Sequence, residues 1–262
     1  MSAPLILRAD EGAVAVVILN DPAKLNALST PMLNALATEF EALAADPAVR
    51  VVVIRAMGKA FCAGHDLKEI QAARQAPDGG AAAFGDLFSL CSRIMQQIAS
   101  LPKPVIAEVQ GIATAAGCQL AATCDMVVAS DHARFGVNGV NIGLFCSTPI
   151  VALSRKIPQG AAFELAATGE FLSATRAQTL GLANRVTSAE DLSAQTMTLA
   201  QTLAQKLPAA LSIGKAAFAA QTGLPLDQAY AAAGSAMVDN LLNSHTSEGI
   251  TAFLEKRPPN WA

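Results

Sequence analysis

Apolar residues recur along this chain with two periods, one of strands and one of helices, and only the helical one continues beyond about residue 190. Residues 6–10 and 14–20 read as strands around a Glu11-Gly12 turn, and Asp21-Pro22 ends the second. Leu33, Leu36, Phe40 and Leu43 then return at helical spacing, with Thr30 as the expected cap and Pro31 in the first turn. Asp46-Pro47 stops that helix. The unbroken β-branched run over residues 49–54 predicts a buried strand. Residues 58–69 repeat a strand, a Gly/Ala loop and a helix start, and residues 72–85 lack periodicity and are expected to form a mobile loop. Phe84, Leu87, Phe88, Cys91, Ile94, Met95 and Ile98 form a helical stripe, which reads as core. After the breaker Leu101-Pro-Lys-Pro104, strands are expected at 105–109, 126–129, 133–135 and 183–186. Helices are expected at 149–156 and 161–168, and another is capped by Ser173 and ended by Gly181. From Ser188 onward only helices appear, over 188–206, 209–221, 226–243 and 247–256. The pattern predicts an α/β core over residues 1–190 and an all-α C-terminal region over 191–262.

Composition adds few constraints. The chain of 262 residues is 52% hydrophobic and 15% charged, enough for a large core and for apolar surface that other subunits cover. A net charge of −3 gives no bulk attraction to nucleic acid or anionic membrane. No apolar run is long enough to span a bilayer, and no signal or transit pattern opens the chain, so a cytoplasmic protein is expected. The five cysteines, Cys62, Cys91, Cys118, Cys124 and Cys146, are odd in number and fit no zinc spacing. They read as buried free thiols in a reducing compartment. His65, His132 and His245 show no metal spacing either, so no metal is expected.

The candidate chemistry lies in two small-residue stretches, each between a strand and a helix. One is Gln110-Gly-Ile-Ala-Thr-Ala-Ala-Gly-Cys-Gln119; the other runs through Gly58 to Glu69. Small residues let a ligand approach the backbone, and amides at a helix start lack partners within the helix. Each stretch is either an ordinary tight turn or the donor of one N–H to a shared oxygen. Two donors about 3 Å from one oxygen make an oxyanion hole, suited to a thioester carbonyl that becomes an enolate. Neither stretch is a P-loop, a dinucleotide fingerprint or a serine nucleophile elbow.

Phe61-Cys-Ala-Gly-His-Asp-Leu-Lys-Glu69, Lys103-Pro-Val-Ile-Ala107 and Gln110 to Ala122 resemble the crotonase superfamily, the enoyl-CoA hydratase/isomerase family. So do Cys124-Asp125 and the ending Ser247-Glu-Gly-Ile-Thr-Ala-Phe-Leu-Glu-Lys-Arg257. Within the family, Gly64-His-Asp-Leu-Lys-Glu69 and Gly139-Val-Asn-Ile-Gly-Leu-Phe-Cys-Ser-Thr-Pro149 are similar to the branch called enoyl-CoA hydratase domain-containing protein 3. The resemblance implies a crotonase-like spiral of β-β-α units, a homotrimer or dimer of trimers built through the C-terminal helices, and an acyl-CoA substrate that brings the only cofactor, CoA. By motif position the oxyanion donors fall on the amides of His65 and Ala116. Ala63, Asp66, Leu67 and Lys68 match the CoA-binding stretch, and Phe253 and Lys256 match positions that reach a neighbouring subunit's CoA.

The chain departs from the family where hydration is performed. Of the two glutamates that typical hydratases use, one is replaced by Gln119 and the other by Gly139. Gln119 cannot exchange a proton near neutral pH, and Gly139 has no side chain. His65 is the chief substitute, able in principle to bond a carboxylate or move a proton. Asp125, Glu108, Asn138, Asn141, Cys146 and Ser147 are further polar candidates, each with a plain structural role as its alternative. Three readings follow: a hydratase-like lyase of fatty-acid metabolism acting through an enolate, an acyl-CoA decarboxylase or hydrolase using His65, and an acyl-CoA-binding trimer with little catalysis.

Overall fold

The computed structural model describes residues 3–261. Among these residues ten strands form two sheets. The larger takes β1 (Ile6–Glu11), β2 (Val14–Leu19), β3 (Val51–Ala56), β5 (Val105–Val109), β7 (Met126–Ser130) and β10 (Arg185–Thr187), in that spatial order. The smaller takes β4 (Ala60–Cys62), β6 (Ile112–Thr114), β8 (Arg134–Gly136) and β9 (Phe171–Ser173). The hairpin β1–β2 is antiparallel, and β2, β3, β5, β7 and β10 are parallel. A strand of the large sheet is followed each time by one of the small sheet and then by a helix: β3-β4-α2 (Leu67–Ala73), β5-β6-α4 (Ala116–Thr123) and β7-β8-α5 (Ser147–Leu153). That is the spiral of β-β-α units implied by the resemblance.

The inner strands β2, β3, β5 and β7 of the large sheet are buried on both faces, which explains their unbroken apolar runs. Ala15, Val17, Leu19, Val52 and Ile54 face the main core with α1 (Thr30–Ala45) and α3 (Ala81–Ser100). Val14, Val16, Val51, Val53, Ile106 and Val128 face the opposite side, covered by Leu192, Met197, Leu199 and Ala200 of α8 (Leu192–Ala204). The remaining helices are α6 (Gln159–Thr168), α7 (Ala174–Leu180), α9 (Pro208–Gln221), α10 (Leu226–Leu242) and α11 (Ser244–Leu254). Lys215 of α9 anchors the helical extension: its Nζ donates to the Asp125 carboxylate at 2.7 Å and to the carbonyls of Ile98 and Lys103 at 3.1 Å. No helix among the described residues is long and apolar enough to cross a membrane.

Three expectations change. The α1 cap is Ser29, whose Oγ accepts from the Met32 amide at 3.3 Å; Thr30 is already helical. Residues 72–85 are not one loop. α2 runs to Ala73, α3 starts at Ala81, and only residues 74–80 turn between them. Asp78 organises that turn, accepting from the amides of Gly80 and Ala82 at 2.9 Å. Finally, Phe84 and Phe88 stand apart from the core members of their stripe and are only half-buried.

Candidate active site

The two small-residue bends leave adjacent strands, because β4 pairs with β6 in parallel. The first runs from Cys62 through Gly64, at φ 91°, to Asp66, which caps α2. The second turns at Ala115 and starts α4 at Ala116. They touch through their glycines. A Cβ on Gly64 would lie 2.9 Å from the Ala115 Cβ and 3.3 Å from the Ala116 nitrogen. One on Gly117 would lie 2.2 Å from the Cys62 carbonyl oxygen. Ala115 sits at φ 49°, ψ −122°, a region costly to a residue with a Cβ, by about 1–3 kcal/mol. It is held there by its amide, which donates to the Gly136 carbonyl at 2.9 Å, and by its carbonyl, which accepts from Gln119 at 3.0 Å. Among the described residues no acceptor takes the amide of His65 or of Ala116. An oxyanion requires two donors aimed at one oxygen, and these two amides are open on touching bends.

Residues 24–28 form a third wall that the sequence pattern did not reveal. The Leu25 carbonyl accepts from Ala63 at 3.0 Å, and the Leu28 amide donates to the Gly64 carbonyl at 2.7 Å. Asn26 is fully buried, and its Nδ2 donates to the carbonyls of Met57 and Ala60. Leu25 and Asn26 both have φ near +54°. An asparagine tolerates that region, so Asn26 between a strand end and a helix cap was the available signal.

The His65 ring lies between this wall and α3. Its Nδ1 is 3.1 Å from the Leu28 carbonyl oxygen, and it forms a T-shaped pair with the Phe88 ring, 5.6 Å between centroids. Nε2 is buried and has no hydrogen-bond partner among the described residues. Burial holds the imidazole below its usual value, outweighing the opposite pull of the Leu28 carbonyl and Glu69. Phe88, read as core, is therefore a wall of the site, and Phe84 stacks under the Arg74 guanidinium at 5.7 Å.

The two positions of the missing glutamates differ. Gln119 is 5% exposed, and its Oε1 is buried with no hydrogen-bond partner among the described residues. Gly139 has no room for a side chain: a Cβ there would lie 2.3 Å from the Leu144 carbonyl oxygen and 2.8 Å from the Cys146 Sγ. Leu144 and Cys146, which follow the turn over residues 138–142, fill the space that a side chain at Gly139 would take. Asn138 beside it accepts from the Thr114 hydroxyl at 2.6 Å, and Asn141 donates to the Gly169 carbonyl.

The other candidates have the following places. Asp66 caps α2 by accepting from the Lys68 amide at 2.9 Å and pairs with Lys24 at 3.1 Å. Burial would raise its carboxyl, but those two contacts hold it below its usual value. Ala63 is half-buried, while Leu67 and Lys68 are exposed beside it on the first turn of α2. Asp125 accepts from the Val105 amide and Lys215, both at 2.7 Å. Glu108 faces α8 and pairs with Arg55. All five cysteines are free and buried; burial pushes the thiols of Cys62, Cys118 and Cys124 up to about 12 and raises that of Cys146. Such thiols are protonated and inert. Ser147 is exposed, and its hydroxyl donates to the Phe145 carbonyl. Phe253, 82% exposed, and Lys256 lie at the end of α11, which packs on α10 and offers both residues outward. No group of three or more His, Cys, Asp or Glu among the described residues is placed to hold a metal ion.

The sequence matches the family described as Enoyl-CoA hydratase/isomerase over residues 9–262. It is 43% identical over 261 residues to the zebrafish protein named enoyl-CoA hydratase domain-containing protein 3, mitochondrial, covering 100% of this chain and 89% of that one. The crystal structure of an enoyl-CoA hydratase from Mycobacterium smegmatis superposes with a TM-score of 0.94 at 49% identity over 99% of each chain. That of human enoyl coenzyme A hydratase domain-containing protein 3 does so with a TM-score of 0.93 at 41% identity, over 98% of this chain and 100% of that one. The expected cytoplasmic location is corrected by these relatives, since the vertebrate proteins of that name are named mitochondrial. Buried thiols report a reducing milieu and do not tell one such compartment from another. With its β-β-α spiral and its paired bends, the chain belongs to the enoyl-CoA hydratase/isomerase family, the crotonase superfamily.

Proposed function

We propose that this protein binds acyl-CoA thioesters and polarises the thioester carbonyl between the amides of His65 and Ala116, so that charge moves onto that oxygen as an enolate forms. The observation that carries the reading is the pair of open amides on touching bends. Such preorganised donors act when the oxygen gains charge, and removing one costs about 10²–10³ in rate. Water addition also needs a proton taken and a proton given. Each such group contributes about 10²–10⁴-fold, and neither Gln119 nor Gly139 supplies one. Ordinary enoyl-CoA hydration is therefore crippled in this chain, and a glutamate returned at Gly139 would collide with the Leu144 carbonyl.

The exposed apolar side chains of α9–α11, among them Phe218, Leu226, Tyr230, Leu242, Phe253 and Leu254, support a homo-oligomer. We assign residues 191–262 to that assembly, as a trimer or a dimer of trimers, with Phe253 and Lys256 reaching a neighbour's CoA. Sedimentation giving a monomer at micromolar concentration would remove this part.

The test of the site uses equilibrium binding of butyryl-CoA, the crotonyl-CoA hydration assay, and mass spectrometry after incubation with an acyl-CoA panel. Butyryl-CoA is expected to bind, and crotonyl-CoA turnover to fall about 10⁴-fold or more below that of a two-glutamate relative. Ala116→Pro removes one amide and is expected to lower any residual turnover about 10²–10³-fold with the circular dichroism unchanged. Hydration at an ordinary rate, or no affinity for any acyl-CoA, overturns the reading.

A further inference from the structure

The chain reverses at the end of α11 and runs back along that helix. The Lys256 amide donates to the Phe253 carbonyl at 3.2 Å and the Arg257 amide to the Ala252 carbonyl at 3.0 Å, the pair of bonds that closes a helix on a left-handed residue. That residue is Lys256, at φ 55°, where glycine is usual and a Cβ is unfavourable. The other non-glycine residues at positive φ among the described residues, Leu25, Asn26 and Ala115, all border the candidate site. Backbone held in such a region persists only where its surroundings fix it.

The residues after Lys256 supply that hold. Arg257 Nη1 and Nη2 donate to the two carboxylate oxygens of Glu248 at 2.7 and 2.9 Å, and the Asn260 amide donates to Glu248 Oε1 at 2.9 Å. Trp261 then lies against Gly249, where a Cβ would stand 2.8 Å from Cη2 and 3.2 Å from Cζ3 of the indole. Its Nε1 donates to the carbonyl of Gln205, the residue that ends α8, at 3.0 Å. One side chain thus ties α11 to the helix that covers the large sheet. Phe253, one turn beyond Gly249, and Lys256 stay exposed. A lysine stem is flexible, so the fold can fix only the backbone from which it reaches.

We propose that Trp261 is a positioning residue: seated on Gly249 and bonded to Gln205, it holds the left-handed turn at Lys256 and sets the place from which that ammonium meets the phosphates of a neighbour's CoA. The proposal rests on the assignment of Lys256 to CoA made above and adds what holds it there.

The test compares butyryl-CoA with butyryl-pantetheine, the same thioester without the nucleotide phosphates, by titration calorimetry on the full-length protein and its variants. Trp261→Ala and Gly249→Ala are each expected to weaken butyryl-CoA about threefold to fivefold, the worth of an exposed ion pair, and to leave butyryl-pantetheine unchanged. Gly249→Ala raises helix propensity, so a loss in that variant comes from the displaced indole. Trp261→Ala added to Lys256→Ala is expected to cost nothing further. Trp261 is the single tryptophan of the chain, so its fluorescence reports the seat directly, and acrylamide is expected to quench it less in the unsubstituted protein than in Gly249→Ala. Equal quenching, an undiminished affinity for butyryl-CoA, equal losses for both thioesters, or a loss that adds to that of Lys256→Ala each overturns the proposal and leaves the acyl-CoA reading standing. Failure of the unsubstituted protein to bind butyryl-CoA overturns both. If Trp261→Ala does not fold, Gly249→Ala decides; if neither folds, Trp261 serves the fold alone and the proposal fails.

Discussion

On one side of the large sheet the buried Glu108 carboxylate is paired; on the other the candidate site groups of His65 and Gln119 are open among the described residues. Toward α8, Glu108 is 5% exposed and fully engaged. Arg55 Nη2 donates to its Oε2 at 2.9 Å and to the Ser193 hydroxyl at 2.8 Å, and Arg55 Nε lies 2.8 Å from its Oε1, in ion-pair range although not aligned for a hydrogen bond. Toward the main core and the small sheet, His65 Nε2, Gln119 Oε1 and two backbone amides have no partner. A buried polar group left open costs about 1–3 kcal/mol, so the first arrangement serves the fold and the second weakens it. The sequence shows a polar residue inside an apolar strand in one case and at a helix start in the other. Openness alone does not mark a binding group, since Glu39 Oε1, Gln97 Oε1 and Gln110 Oε1 are open as well among the described residues; the place beside the two bends singles out His65 and Gln119.

The largest effect expected from this comparison is on the paired side. Arg55→Ala leaves the Glu108 carboxylate buried and uncompensated and frees Ser193 from its bond to the sheet. Breaking a buried pair from one side typically costs about 3–5 kcal/mol. Arg55 is partly exposed, which places the expectation near the lower bound, with butyryl-CoA affinity unchanged after correction for the unfolded fraction. Urea unfolding measures it. A loss below about 1 kcal/mol would mean that water already screens the pair, and the contrast between the two sides would fail.

Next is the contact between the bends. Gly117→Ala places a Cβ 2.2 Å from the Cys62 carbonyl oxygen, and both partners are backbone, so one bend must move. The expected cost is about 1–3 kcal/mol, together with loss of acyl-CoA binding. A variant that binds normally would show that the two amides do not act as a pair.

These bends were legible because glycine and alanine between an apolar strand and a helix have few other uses. The caps of α7, Ser173 and Gly181, were legible for the same local reason: the Ser173 Oγ accepts from Arg176 and Gly181 adopts φ 89°. What escaped the sequence depends on distant partners. β6 and β9 are three residues each and exist through pairing with β4 and β8. The β-β-α unit recurs three times with no repeat in sequence, since each copy needs only the strand and helix periods and not the same residues. The wall at residues 24–28 has neither period. Phe88 has the spacing of a core residue, and only the position of His65 shows that it lines a site.

A smaller effect separates the sides by pH. Below its usual value of 6.5 the His65 imidazole takes up a proton in the unfolded chain before it does so in the folded one. Its contribution to stability is therefore complete above about pH 6.5 and is lost as pH falls through the folded value. One proton sets a slope of at most about 1.4 kcal/mol per pH unit. The carboxyls of Asp46, Asp66 and Asp78 are held below their usual values, so their losses fall at lower pH. The difference in stability between the unsubstituted protein and His65→Phe, followed from pH 7.5 to 5, cancels the common carboxyl terms. The unsubstituted protein is expected to lose stability faster on acidification; identical slopes would mean that the ring is hydrated and free to protonate.

The smallest effect has the opposite sign from the first. Gln119→Met replaces an amide whose Oε1 is buried without a partner by an apolar side chain of similar length. Removing an unsatisfied acceptor without opening a cavity is expected to leave the free protein unchanged or stabilise it by up to about 1 kcal/mol, readable in a thermal melt. Opposite signs at Arg55 and Gln119, both polar side chains bordering the same sheet, would mean that the site side carries its open groups at the fold's expense and retains them for a ligand. If Gln119→Met instead destabilises by more than about 1 kcal/mol, its amide is held by ordered water or by a neighbour in the assembly, and the two sides are alike. Saturating butyryl-CoA sharpens the result: ligand stabilisation should be smaller in Gln119→Met only if the bare oxygen meets the acyl chain.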